Sequence, residues 1–561
     1  MKQLTVGLLV NGAYADKYVY ELALWARTRA NIRISHLIVY SCQLDSKRDS
    51  ISPDISGKAS CNRVSKCNRV SKILLRLMTS LESSRLKRIS LHRDHDHQFD
   101  LRKIVHAILE VDSIVSKSRL VHQFSDEDIE RIRALECDVL VRCGTGELEG
   151  GILNAARLGI ISFHYGDNRV IRRGAPAGFW EWYLRWPKTG FVIQRLTDDP
   201  DRGDVLVRGF FRTQKGFLLN QALLYKKANH HLQDLLTRAA HNGRLPEPEV
   251  SFPCSVPMLE FPRLHQSLVA LAKMVYGYCK NKLLDSINFK DKWGMSFLHS
   301  DWRHAKLGES IEVKLPPGRS WNVPFLYMHD GKTYCFVEVD VFKRNPRRGY
   351  IAALEITADA AIEIGACLEE PFHLAFPFLF NYNGNLYMCP ESGEAAQIRV
   401  YRCTSLPLKW ELCSVIMEGV PAVNTMLFQH QDKWWLLTNI DRSGTHDSCS
   451  ELYLFFAASP LDADWKPHPK NPVRIDSDGG RNAGLILENG RIFRLGQRHS
   501  YDVYGEGVIV FEITELSEST YLEQPVTEIN PSFRKGLRGI HHCSTNGTTT
   551  VVDHASRSFV F

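Results

Sequence analysis

Residues 159–206 read GIISFHYGDNRVIRRGAPAGFWEWYLRWPKTGFVIQRLTDDPDRGDVL, and this stretch decides how the first part of the chain is read. An apolar run at 160–163 ends on His164. A basic, glycine-bearing loop follows, with Arg172, Arg173, Gly174 and Pro176. A second β-like run at 189–196 leads into Asp201-Arg202-Gly203-Asp204. A histidine at a strand end and an aspartate in a later turn are the groups that proton-assisted acyl transfer uses. The ring polarises a carbonyl or takes a proton, and the carboxylate orients and tunes the ring.

Outward from this stretch the pattern alternates. Residues 4–10 form a strand, 15–29 a helix and 32–39 a second strand. Residues 126–136 are helical, with Ser125 as N-cap. Residues 137–143 (CDVLVRC) form a buried strand, and the turn Gly144-Thr145-Gly146 follows it. Strands alternating with helices predict a doubly wound parallel sheet, whose ligands sit beyond the carboxyl ends of the strands. Gly144–Gly146 and His164 fall there. The glycine turn also reads as a plain strand-to-helix turn.

The ordered set His164, Arg173-Gly174, Thr189-Gly190 and Asp201-x-Gly203-Asp204 resembles the 10-formyltetrahydrofolate-dependent formyltransferase family, over residues 1–215. The resemblance implies a Rossmann-like α/β domain that moves a formyl group to an amine. It assigns His164 to polarise the formyl oxygen and Asp201 to orient His164. Cys143, Gly144, Thr145, Gly146 and Asp204 become the folate pocket. The family's asparagine is Ser162 here, and losing an oxyanion donor costs about 10²–10³ in rate. Asn168 is the candidate replacement amide. Arg172 and Arg173 are candidates for the substrate's anionic groups.

Residues 58–103 interrupt the scheme with a basic insert. It contains the tandem repeat CNRVSK at 61–66 and 67–72, then HRDHDH at 92–97. A metal site is conceivable on the histidines, but an exposed, solvated insert explains the same residues, and no metal is expected. No aromatic is interleaved from Lys58 to Gln98, so nucleic acid is not expected either. Long helices are expected at 218–240 and 265–284, with a proline-rich linker between them.

From residue 293 onward the chain is β throughout and repeats itself. Residues 324–334 (PFLYMHDGKTY), 377–387 (PFLFNYNGNLY), 425–435 (TMLFQHQDKWW), 483–493 (AGLILENGRIF) and 540–550 (IHHCSTNGTTT) are each a strand, a polar turn and a second strand. A third strand follows most copies, with the C-terminal SFVF expected to serve the last. Five copies predict a five-bladed propeller, closed by a strand at 293–314. The segments PFLFNYNGNLYMCPES, LPLKWEL (406–412), DADWKPHPKNPV (462–473) and RNAGLILENGRIFRLGQ (481–497) resemble the propeller-like domain of glucosamine inositolphosphorylceramide transferases. More distantly, this half is similar to furanosidase-type glycoside hydrolases. In the furanosidase pattern an aspartate precedes the first Pro-Phe, where this chain has Val323, and the third copy has Asn424. Glu338 and Glu391 remain, so sugar hydrolysis is not expected. Glu391, Arg481, Gln497 and His541 are candidates to line the channel for a sugar, or else to hold blades together.

The 24% charged and 44% hydrophobic content is that of a globular protein, and a net charge of +7 over 561 residues does not demand nucleic acid. The longest apolar runs are too short to span a membrane. Fourteen scattered cysteines without Cys-x-x-Cys read as reduced thiols of a cytoplasmic protein. The expected domains are residues 1–215, a helical linker region 216–292 and a propeller 293–561. The expected activity is folate-dependent N-formyl transfer to an amino sugar. The alternative is a carbohydrate-binding or glycan-related propeller protein whose formyltransferase-like domain is inactive.

Overall fold

The computed structural model describes residues 3–42, 66–86, 89, 95, 97–115, 121–144, 146–170, 176–198, 203–249, 259, 261–287, 289–342 and 348–559. The chain divides into two compact units. The first is Met1–Gly209 with Thr213–Val275, and the second is Phe210–Arg212 with Tyr276–Phe561.

The first unit is built on a nine-stranded sheet. Its strands are β1 (Leu4–Val10), β2 (Ile32–Cys42), β3 (Ala107–Val115), β4 (Val121–Phe124), β5 (Val139–Arg142), β6 (Glu147–Leu148), β7 (Ile160–His164), β8 (Lys188–Arg195) and β9 (Asp204–Arg212). Their order is β9-β8-β7-β5-β1-β2-β3-β4-β6. β1 pairs in parallel with both β2 and β5, and β5 in parallel with β7, so the chain reverses its winding direction at β1. The expected all-parallel, Rossmann-like sheet is corrected to a mixed one: β8 runs antiparallel to β7, and β4 antiparallel to β3. For β4 the reason is connection length: only residues 116–120 separate it from β3, and a parallel neighbour needs a crossover of a dozen or more residues.

The helices are α1 (Lys17–Arg27), α2 (Lys66–Leu86), α3 (Asp126–Arg133), α4 (Phe179–Leu184), α5 (Phe217–Asn242) and α6 (Leu264–Ser286). Ser125 caps α3 by accepting from the Asp128 amide at 3.1 Å. α5 buries Leu224, Ala228, Leu232, Leu235 and Leu236, one face at three-to-four-residue spacing. Its Asn220 is fully buried and donates to Gly178 O (2.9 Å) and to Thr189 Oγ1 (3.0 Å). Thr189, part of the formyltransferase-like pattern, therefore ties β8 to α5. The basic insert is not the solvated loop expected of it. Its second CNRVSK copy opens α2, which buries Ser71, Leu75, Met78 and Glu82. Glu82 Oε1 accepts from the Leu218 amide (3.1 Å) and caps α5.

The second unit is a five-bladed propeller, with five antiparallel sheets around one ring. Blades one to four open with Arg319–His329, Ala375–Tyr382, Ala422–His430 and Asp478–Glu488. The first hairpins of blades one, two and four turn on left-handed pairs, Asp330-Gly331 (φ 48° and 74°), Asn383-Gly384 (47° and 74°) and Asn489-Gly490 (50° and 75°), the type that matches strand twist. The five inner strands contact one another in sequence, and that of blade five (Cys543–Thr545) returns to blade one.

Blade five is where expectation and structure differ in detail. The C-terminal residues do not form a third strand. Thr550–Phe559 is a single second strand, and Phe289–Leu298 pairs against it from Phe289↔Phe559 to Leu298↔Thr550. A short strand, Ile311–Glu312, completes the outer edge. At the centre of this closure is Asp553, fully buried. Its carboxylate accepts from the amides of Val323 (3.2 Å), His541 (3.0 Å) and His542 (2.9 Å), so one side chain joins blade one to blade five.

Removing that carboxylate leaves three buried N–H groups without an acceptor. Asp553→Ala is expected to cost about 3–5 kcal/mol, read as a lower thermal midpoint of the full chain, with Asp553→Asn intermediate. An unchanged midpoint in Asp553→Ala refutes the closure role.

Candidate functional site

In the first unit the sheet's carboxyl edge collects several of the sequence candidates. Ser162 is buried beside Arg142, whose Nη1 donates to its Oγ at 3.4 Å. Arg142 also donates to Gly146 O. Cys143 is a half-buried neighbour whose thiol burial pushes up to about 12, which keeps it protonated at neutral pH. Gly144 lies so close to the Tyr40 hydroxyl and the Asn11 side chain that any Cβ there would clash with both. His164 stands at the end of β7, opposite Val192. Asn168 Oδ1 accepts from Arg208 (2.8 Å), which also pairs with Asp167 (2.7 Å). Asp204 forms an ion pair with Arg195 on the neighbouring strand. Thr145, Arg172, Arg173 and Asp201 lie outside the described residues.

The propeller gathers more polar chemistry than the sequence suggested. Glu338 and Glu391 occupy one place in successive repeats, fourteen residues after Pro324 and Pro377. Each lies in the second half of its blade's second strand, Glu338 opposite Asn322 and Glu391 opposite Ala375. Beside them the inner strands carry bulges, with left-handed backbone at Val323 (φ 50°), Phe376 (46°) and Asn424 (49°). For valine and phenylalanine that conformation is strained, and such bulges re-aim side chains next to functional sites.

Arg481 of blade four holds the cluster together. Its Nη2 donates to Asn424 Oδ1 (2.9 Å) and pairs with Glu391 Oε2 (3.4 Å), while Nη1 donates to Ser448 Oγ (2.7 Å). Burial works against its charge, but Tyr504, Glu391 and Glu338 outweigh that and raise its pKa. The Asn424 amide donates to Glu391 Oε2 (3.3 Å), and Asn424 and Asn482 exchange side-chain-to-backbone hydrogen bonds (2.6 and 2.9 Å). Gln497 Nε2 donates to Asn482 O (3.1 Å), and its buried Oε1 meets no donor among the described residues.

Blades five and one complete the ring of polar groups. His541 stacks on Trp293 with centroids 3.8 Å apart and lies against Tyr504 at 5.7 Å. Its Nδ1 is 2.5 Å from Asp553 Oδ2. Burial alone would raise the Asp553 pKa, but His541 and the amide donors hold it below the usual carboxylate range. His499 Nδ1 accepts from the Gly505 amide (3.0 Å), and burial pulls its pKa well down, so its proton sits on Nε2. That buried N–H has no acceptor among the described residues. Burial, then the carboxylates of Glu391, Asp340 and Asp553, push Glu338 up to about 8 despite Arg481. Glu338 is therefore largely a neutral acid at pH 7, and its Oε1 lies 3.5 Å from His373 Nε2.

The structure thus joins Glu391 and Arg481 directly and links Gln497 to them through Asn482. Asp553, His499 and Tyr504 were missed as site residues. No aspartate precedes the first Pro-Phe, and the carboxylate nearest that position is Asp553, which accepts from the Val323 amide from the last strand. Among the described residues no group of three or more His, Cys, Asp or Glu side chains is arranged to hold a metal ion.

Residues 315–545 match the family described as glucosamine inositolphosphorylceramide transferase 1, N-terminal. A glucosamine inositolphosphorylceramide transferase 1 of Arabidopsis thaliana is 37% identical over 220 residues, 38% of this chain and 28% of that protein. The protein of that name from Oryza sativa subsp. japonica is 34% identical over 219 residues, 38% of this chain and 29% of its own length. The chain thus spans less than a third of the relatives it matches. Among solved structures, a family 117 glycoside hydrolase from Zobellia galactanivorans has 12% identity and a TM-score of 0.32, over 47% of this chain and 91% of its own.

These relatives overturn the expectation of a folate-dependent formyltransferase. They are named glucosamine inositolphosphorylceramide transferase, a name that carries no one-carbon transfer, and 10-formyltetrahydrofolate is withdrawn as cofactor. The short motif matches around His164 occur on a sheet edge that also serves as ordinary packing, as Thr189 and Asp204 illustrate.

The raised Glu338 pKa has a sign that can be measured. Folding is favoured below the unfolded value of about 4.5 and loses that contribution as pH rises through about 8. Between pH 5 and pH 9 the wild-type urea midpoint is expected to fall more than that of Glu338→Gln. The two should differ by an amount on the order of 1–3 kcal/mol, and parallel pH profiles refute the assignment.

Proposed function

We propose that the propeller recognises a glycan at the polar mouth of its channel and that the chain serves glycoconjugate chemistry. The observation that carries this reading is Arg481, which bonds Asn424 and Glu391 of two other blades while facing the neutral acid Glu338. A sugar presents alternating hydroxyl donors and acceptors. Two buried groups have no protein partner among the described residues, Gln497 Oε1 as acceptor and His499 Nε2–H as donor, and a sugar entering the site between the blades would supply both. The relatives' name adds a chemical class, a glucosamine linked to an inositol phosphate, as the first ligand to try. In this reading the α/β unit accompanies the propeller without formyl chemistry.

A second reading is favoured by Glu338 alone. A carboxylic acid kept neutral at pH 7 beside the carboxylate of Glu391 is a pair suited to protonating a leaving sugar oxygen. Under that reading Glu338→Gln binds glycan but turns none over.

Calorimetric titration of the full chain with glucosamine, inositol phosphate, their conjugate and glucose tests the recognition. Arg481→Gln is expected to weaken binding about tenfold or more, the scale of a lost charge-assisted hydrogen bond. Equal binding by Arg481→Gln, or no binding of any of these by the wild type, overturns the proposal.

A further inference from the structure

One helix of the α/β unit carries two faces. Ser71, Leu75, Met78 and Glu82 of α2 are buried against the unit, with Ser71 Oγ donating to Pro262 O (2.6 Å) and contacting Ser267 Oγ of α6 (2.7 Å). A second set at the same helical spacing points to solvent. Val70, Ile73, Leu77 and Leu81 are 47%, 62%, 50% and 41% exposed. Single exposed aliphatic residues need no explanation, but four in register along one helix face form a stripe, which does.

The charge on this helix is one-sided. Arg69, Lys72, Arg76 and Arg85 share it with a single carboxylate, Glu82. Glu82 is buried under the α5 N-terminus, away from the exposed stripe, and burial pushes it up to about 7. The adjoining first half of α6, residues 264–275, holds Lys273, no carboxylate, and exposed Leu268, Ala272 and Val275. An apolar stripe flanked by arginine and lysine, with no exposed acid on its helix, is complementary to an anionic lipid surface: aliphatic side chains enter the acyl boundary while the cations meet headgroups. Nucleic acid fits less well, because the stripe offers aliphatic side chains and no aromatic for bases to stack on. No helix among the described residues is long and apolar enough to cross a membrane, so the helix would lie in the interface plane.

We propose that α2 docks this protein on the surface of an anionic bilayer, with Ile73, Leu77 and Leu81 inserted and Arg69 and Arg76 on the headgroups. This stands apart from the propeller reading and uses none of its residues.

The test is co-sedimentation of the full chain with vesicles of phosphatidylcholine alone or doped with phosphatidylserine. Wild type is expected to pellet with the doped vesicles and to be released by salt. Arg69→Gln with Arg76→Gln should lower partitioning by about 25-fold, taking roughly a fivefold factor per cation. Ile73→Ser with Leu77→Ser should abolish pelleting at unchanged thermal midpoint, since both side chains are exposed. Failure of the wild type to pellet, or full retention by the serine variant, overturns the proposal. So does a dimer in light scattering that the serine variant dissociates, which would make the stripe a contact between copies. Salt-sensitive binding to an oligonucleotide with no vesicle binding also overturns it.

Discussion

Everything in the propeller depends on closing the ring, and a single buried carboxylate stands at the seam. Asp553 accepts from amides of blade one and blade five and contacts the His541 ring. In a propeller each blade packs against its two neighbours, so every blade is covered on both faces only when the last sheet meets the first. The paired strands Phe289–Leu298 and Thr550–Phe559 supply the length of that junction, and Asp553 supplies its polar anchor. The same carboxylate helps raise Glu338, so architecture and site chemistry share one group.

This sharing explains why a buried, charge-rich centre is tolerated. Arg481 and Asp553 are taken out of water, which is costly, yet each is met by several hydrogen-bonding partners from different blades. Blade four shows the purely structural counterpart. Arg494 is fully buried, and its Nε and Nη2 each reach the Glu523 carboxylate at 2.7 Å. Arg481 differs in spreading its bonds over three residues of two other blades.

The propeller was legible because its signals are local. The hairpin dipeptides and the fourteen-residue offset to Glu338 and Glu391 lie within one repeat, and they carry the blade count and two members of the site. Asp553, His499 and Tyr504 were not legible because they act across blades, and no spacing in the chain announces which strand ends meet. In the α/β unit the alternation of strands and helices led correctly to parallel pairing around β1. It missed β3 and β4 and the antiparallel return of β8. The insert was misread for a different reason. Its basic composition masked a helical period in Ser71, Leu75, Met78 and Glu82, whose one acid reads as surface until it is found capping α5. The formyl-transfer expectation rested on short motifs, and short motifs recur where packing alone demands them.

The seam also sets an order of events during synthesis. Four blades are complete in sequence well before residues 550–559 leave the ribosome, while the strand at 289–298 must wait for them. Until then the strand at 289–298 lacks the partner it pairs with along its whole length, and four blades separate the two in sequence. Such an unpaired strand invites pairing with other chains, so the demand for chaperone protection falls on the interval between translating blade four and releasing the last ten residues of the closing strand.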